Sequence, residues 1–438
     1  MKGLGLLAGL LLLGTCLSGT RAEDDGVGLN PHPVVLRRPA AQGLSALALI
    51  GRRIFHDPRL SASGRQSCAS CHSPAHAFGP PDGRLMPRGG IRMSVEGTRA
   101  VPSLAYLYRQ EAFAIGPAGS DDVPVALDVL AQQAQGQARS TKSAGVAPAA
   151  NALVPSGGLF WDGRADSLMD QAMGPMMNPA EMANANVADA AARLVRAGYP
   201  AMLRSLFGDG LATNPELLFA EAMSAVSRYQ IEDRAFHRFD SRYDHWLEGK
   251  ARLTAAQMRG LRLFNDPAKG NCAACHISAP GQDGAPPLFT DTEYEALAVP
   301  RNRHLGANRN PHHMDLGLCG PVRADLAGQT QYCGMFLTPT LRNAARRGVY
   351  FHNGVYHTLR KVLDFYNLRD TDPARIYPRD GKGRLMVHDD LPMRYRANID
   401  MTDAPFGRKQ GQAHPLSERD IEDIIAFIGT LEDGDVPA

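Results

Sequence analysis

Toward the end of the chain, apolar residues recur at helical spacing (Ile421, Ile424, Ile425, Ile428 and Leu431), and Ser417 stands where an N-cap belongs. Asn214-Pro215 has the cap and first-turn chemistry of another helix, running to about Tyr229. Two further segments are near copies of one another. Gly51-Arg52-Arg53-Ile54-Phe55-His56-Asp57-Pro58 and Gly260-Leu261-Arg262-Leu263-Phe264-Asn265-Asp266-Pro267 each predict a helix that ends at Asp-Pro. The second opens at Thr254 with Gln257 three residues on, a capping-box pattern. A repeat of this kind implies two homologous units, each with a leading and a closing helix. No sustained alternating pattern competes, so the expected class is all-α. The 44 Gly and 31 Pro belong to long irregular loops between the helices.

The first residues read differently. Met1-Lys2, the apolar run 4–13 and the small and polar residues ending at Thr20-Arg21-Ala22 predict a secretory signal over residues 1–22. The run is about half of the ~20 residues a spanning helix needs, and no later segment qualifies. Lipidation at Cys16 is the alternative, disfavoured by the bulk of Thr15 before it. Loss of the leader removes Lys2 and Arg21 but no acid, which leaves 45 Lys+Arg against 45 Asp+Glu. No basic tract points to nucleic acid or to an anionic membrane surface.

Candidate chemistry follows each leading helix. Cys68-Ala69-Ser70-Cys71-His72 and Cys272-Ala273-Ala274-Cys275-His276 lie about two hundred residues apart. Cys-x-x-Cys-His is the attachment pattern for c-type haem, in which two sulfurs take the vinyl groups and the histidine reaches the iron. A zinc site would pair two Cys-x-x-Cys motifs at a shorter separation, about 12–20 residues, and needs no histidine after each. The expectation is two covalently bound haem c groups and two cytochrome c-type domains in tandem, at 40–240 and 250–434, in the periplasm where such haem is attached. Four cysteines hold haem and Cys16 leaves with the leader. Cys319 and Cys333 remain, a disulfide in an oxidising compartment or else two buried thiols. The mature length of about 416 residues exceeds two minimal cytochromes. The surplus lies at 280–333 and at 116–158; the second stretch reads as a surface excursion that admits a short helix near 123–135.

Phe160-Trp161-Asp162-Gly163-Arg164-Ala165, with Gln171, Gly174-Pro175 and Glu181-Met182, resembles the segment between the haems of bacterial dihaem cytochrome c peroxidases and MauG-type enzymes. Thr338-Pro339-Thr340-Leu341-Arg342-Asn343 and Tyr350-Phe351-His352-Asn353-Gly354 are similar to later blocks of the same family. The resemblance spans about residues 46–431 without the excursion. It implies a peroxide-reacting haem in the first unit, an electron-transfer haem in the second, and Trp161 as a relay between them. It also implies that Gln171 and Glu181 are distal polar residues, with Glu181 suited to moving a proton. Without the resemblance, Trp161 reads as a core anchor and the other two as helix-surface polar groups.

Axial ligands separate the branches of this family. Met on the second haem raises its potential, whereas a hard oxygen ligand such as Tyr favours ferric iron. Alignment on the Tyr-Phe-His block places Tyr366, in Leu359-Arg360-Lys361-Val362-Leu363-Asp364-Phe365-Tyr366-Asn367, where the peroxidase branch has its Met. MauG-type members carry Tyr there; Met335 is the competing ligand. Peroxidase-branch members also block the first iron with a loop histidine some sixteen residues past the motif. Here only His76 lies between His72 and His237, so an open first site is expected. The family's calcium draws on an Asn after the arginine of an Arg-x-x-Pro-Ser block. Arg99 is instead followed by Ala100, which removes an oxygen from an ion that wants six or more, although carbonyls near Arg347 and Val349 could contribute. His312, His313 and His357 show no ligand spacing and read as loop residues.

The implied function is a peroxidase-like oxidoreductase that uses hydrogen peroxide. Its donor would be a small cytochrome or cupredoxin, or a protein substrate oxidised in MauG fashion. The contrasting expectation is a dihaem electron carrier without chemistry of its own, which predicts two six-coordinate haems.

Overall fold

The computed structural model describes residues 28–81, 87–117 and 153–435. The predicted leader, Cys16, most of the 116–158 excursion and the helix near 123–135 lie outside the described residues.

Regular structure is mostly helical, with few and short strands. The leading helix α1 (Ala46–Phe55) is capped by Ser45, and its partner α8 (Ala255–Asn265) by Thr254 in the expected capping box with Gln257. Between them come α2 (Cys68–Cys71), α3 (Leu168–Met177), α4 (Val187–Arg196), α5 (Tyr199–Phe207), α6 (Pro215–Glu232) and α7 (Arg242–Leu247). After α8 come α9 (Leu359–Leu368) and α10 (Glu418–Ile428). The two Asp-Pro stops work as the repeat predicts. Asp57 accepts from the Arg59 amide at 3.0 Å, and Asp266 from that of Ala268 at 2.8 Å, so each carboxylate starts a turn in place of another helical residue.

Leading and closing helices cross at glycine in both copies. A Cβ on Gly51 would overlap the carbonyl of Ala225 in α6, and one on Gly260 would overlap that of Asp423 in α10. Only glycine permits this backbone contact. Around each crossing sits an apolar core. The first holds Ile54, Phe55, Leu194, Leu203 and Phe236; the second holds Phe264, Phe289, Ile424, Phe427 and Leu431. Phe55 and Phe264 hold equivalent positions in the repeat, and both are fully buried.

Among the described residues the strands form three two-stranded antiparallel ladders. Ala114–Pro117 pairs with Leu153–Ser156 in the register Ala114↔Ser156, which closes the base of the excursion. The long segment after the second motif is held by Tyr294–Glu295 on Phe336–Leu337 and by a Cys319–Cys333 disulfide, as the cysteine count predicts.

Polar contacts join the two cores. Leu36 packs in the second core although it precedes the first, and Arg38 grips Glu248 with two bonds of 2.7 and 2.9 Å. The Asp433 carboxylate accepts from Tyr106 of the first core at 2.7 Å and from Asn343 at 2.6 Å. Arg342 is buried completely and pairs bidentately with the equally buried Asp244. Burial opposes ionisation of Asp244, but the guanidinium and Ser241 outweigh it and hold the carboxyl below the usual range.

Gly260→Ala should destabilise the folded holoprotein by at least ~1–3 kcal/mol, the usual cost of overpacking. Gly43→Ala, at an open surface position, should stay near neutral in the same denaturant titration. Equal effects would show that the helix contact is not tight.

Candidate active site: two cysteine–histidine cavities

Each Cys-x-x-Cys-His motif opens into its own cavity. The first spans about 610 Å³ of empty space including its open mouth, lined by Cys68, Cys71 and His72 together with Gln171, Glu181, Gln66 and Gln230. The second is larger, about 1620 Å³ including its open mouth, with Cys272, Cys275, His276, Trp161, Tyr366, His352 and Asp315 in its wall.

Both histidines are oriented alike. Nδ1 of His72 lies 2.8 Å from the carbonyl oxygen of Phe78, and Nδ1 of His276 lies 2.9 Å from that of Phe289. A carbonyl only accepts, so Nδ1 carries the proton and Nε2 keeps its lone pair for a metal. Phe78 and Phe289 sit at φ 55° and 56°, left-handed conformations that a bulky residue adopts only when its surroundings impose them. The same strain at both sites aims the same carbonyl at the same nitrogen. Burial pushes the His72 pKa down to about 4, which keeps the ring neutral as ligation requires.

The cysteines fit haem better than zinc. Burial pushes the thiols of Cys68 and Cys272 up to about 12 and that of Cys71 to about 11, so without a bound group they stay protonated. Among the described residues, no group of three or more His, Cys, Asp or Glu could hold a metal ion. Paired thiols, a neutral imidazole with a free Nε2, and a largely apolar enclosure suit a covalently attached porphyrin.

Gln171 projects from α3, which starts at the Ser167 cap, and is buried. Glu181 follows the end of that helix, and its Oε1 accepts from Asn178 Nδ2 at 2.6 Å. Burial raises the Glu181 pKa; Asn178 and the charge of Arg164 pull it back down. His76 does not line this cavity and lies within 3.4 Å of the Ser73 hydroxyl.

In the second cavity, Tyr366 comes from α9 and stacks on Phe406 at 5.5 Å. Burial raises the pKa of the Tyr366 hydroxyl. Met335 is buried elsewhere, among Tyr294, Leu318 and Tyr332, and does not line the cavity. Trp161 is half-buried and donates Nε1–H to the Ala100 carbonyl at 2.8 Å. The block around it is pinned by charge: Arg99 bonds Asp162 at 2.6 Å and Asp315 at 2.6 and 2.7 Å, and Arg164 takes the other Asp162 oxygen at 2.7 Å. His312 and His357 are exposed, as read from the sequence, and His313 is half-buried.

Gln66, Gln230 and Asp315 went unnoticed in the sequence. Gln230 lies on the buried face of the closing helix α6, where a lone polar side chain among apolar neighbours is the one available signal. His352 was visible only as part of a block; it stacks flat on Phe336 at 3.5 Å.

A sequence profile for di-haem cytochrome c peroxidase matches residues 45–252. Over 418 residues the chain is 35% identical to the methylamine utilization protein MauG of Paracoccus denitrificans, spanning 90% of each. Over 351 residues it is 26% identical to the cytochrome c551 peroxidase of Nitrosomonas europaea, spanning 79% of this chain and 80% of that one. The solved dihaem peroxidase BthA of Burkholderia thailandensis superposes with a TM-score of 0.75 at 36% identity, covering 92% of this chain and 89% of BthA. The chain therefore belongs to the di-haem cytochrome c peroxidase and MauG family of haem peroxidase oxidoreductases.

Expressed with haem-attachment machinery, the chain should carry two haems by intact mass, and acid-acetone should extract neither. Cys68→Ser/Cys71→Ser and Cys272→Ser/Cys275→Ser should each lose one. Retention of both haems by either double variant would exclude that motif as an attachment site.

Proposed function

We propose that this is an exported peroxidase that reduces hydrogen peroxide in the His72 cavity and draws electrons from an external protein through the His276 cavity. The observation that carries this reading is that Gln171 and Glu181 share one cavity with Cys68, Cys71 and His72. Two bound haems, attached in tandem domains at 40–240 and 250–434, would supply the redox-active iron with which peroxide, two protons and two electrons become two waters.

The residues divide the remaining work. Nε2 of His72 and of His276 would hold the irons. A Glu181 oxygen takes the first proton from peroxide and returns it to the departing oxygen, while Asn178 holds the carboxylate in place. The Gln171 amide orients the peroxide. The Tyr366 oxygen would be the second ligand in the His276 cavity, in preference to the more distant Met335. Trp161, in the wall of that cavity, links the two sites for electron transfer. The donor is a small cytochrome or cupredoxin, or a protein whose aromatic side chain is oxidised. No helix among the described residues is long and apolar enough to cross a membrane, which is compatible with export to the periplasm behind the predicted leader.

Glu181→Gln should slow the reaction with peroxide by about 10²–10⁴-fold, as loss of a general acid–base group does. A base works ionised, so the rate should fall as pH drops through the raised Glu181 pKa. Asn178→Ala removes a hydrogen bond that lowers this pKa, and the acid limb of the pH profile should move to higher pH. A limb unchanged in both variants would assign the proton to another group.

Tyr366→Phe should change the low-spin EPR signal of the second haem and slow donor oxidation, with four thioether bonds intact. Met335→Leu should leave the spectrum as it is. The reverse pattern would make Met335 the ligand. Two low-spin signals at rest, with no reaction toward peroxide, would favour the electron-carrier reading.

A further inference from the structure

The calcium that the family resemblance implies does not fit this chain. Ala100 stands where the resemblance calls for a side-chain oxygen, and its carbonyl is already taken by Trp161 Nε1 at 2.8 Å. Three neighbouring carbonyls also accept hydrogen bonds: Val101 from the Arg347 guanidinium at 2.7 Å, Arg347 from the Tyr350 hydroxyl at 2.7 Å, and Gly348 from His357 at 2.9 Å. Of the two carbonyls named from the sequence, that leaves only Val349 without such a bond among the described residues. A cation wanting six or more oxygens would have to share these carbonyls with their donors and would still lack the side-chain oxygen at position 100.

It would also meet a charge. Arg347 follows the Asn343 turn of the second unit and reaches back to Val101 of the first, with its guanidinium close to Gly79 on the loop behind His72. Among the described residues, no Asp or Glu lies in ion-pair range of it. Burial lowers its pKa only to about 10, so it stays cationic at neutral pH.

We propose that Arg347 is a built-in cation that replaces calcium at this junction, binding the first unit to the second with no divalent ion. The ligand assignments at either iron do not enter into this.

The test uses the holoprotein. Purified in calcium-containing buffer and desalted, it should carry no stoichiometric calcium by elemental analysis. Chelation with EGTA should leave its melting temperature and both haem EPR signals unchanged. Arg347→Gln should lower the melting temperature and Arg347→Lys should restore part of it. Added calcium should not stabilise the wild type. One calcium per wild-type chain, or a wild-type spectrum altered by EGTA, would overturn the proposal. So would an Arg347→Gln protein as stable as the wild type. Should Arg347→Gln fail to fold, the wild-type calcium content decides alone.

Discussion

Two points where helix backbones touch set the frame for everything else. With Gly51 against Ala225 and Gly260 against Asp423, each leading helix is seated at one height and one angle on its closing helix. The chain leaves α1 at Asp57 and α8 at Asp266, and the cysteine motif follows within about a dozen residues in each case. A seat fixed by backbone contact has little freedom to slide, because no side chain lies between to repack. The position of each Cys-x-x-Cys-His relative to its core is thereby inherited from the crossing.

Away from the crossings, order rests on charge. Arg342–Asp244 and Arg99–Asp162–Asp315 are buried networks with short bonds, and every member except Asp244, in α7, comes from irregular backbone. Desolvating such ions is costly, and the cost is offset only when geometry satisfies most of their donors and acceptors. A single substitution that strands one partner does far more damage than the pair's net worth. Here the networks flank Trp161 and carry the Thr338–Asn343 block, so irregular backbone becomes a rigid wall for the larger cavity. Strain works beside charge: Phe78 and Phe289 are held left-handed so that their carbonyls meet the histidines.

What could be read from the chain alone follows this division. The four framing helices, the caps of three of them and both Asp-Pro stops were legible because they depend on neighbours within four residues; the Ser45 cap of the first was not read. The disulfide followed from counting. Helices Val187–Arg196 and Tyr199–Phe207 were not singled out, and the segment 280–333 showed only as surplus length. The buried ion networks were invisible: Arg99 finds Asp315 across 216 positions, and charged residues are assigned to the surface by default. The grouping of Gln171 and Glu181 with His72 came from likeness to a family. Local pattern would have left both on a helix surface.

The Asp433 carboxylate gives assembly an order. Tyr106 must wait for a partner made 327 residues later, so this clamp between the first core and the second closes only when nearly all the described chain is present. The first cavity can close early, whereas the second, lined as far as Ile428, is completed only with the last helix. A chain short of Asp433 already holds Arg99 on Asp315 and Arg347 on Val101, so the last carboxylate tightens a junction that earlier contacts have begun.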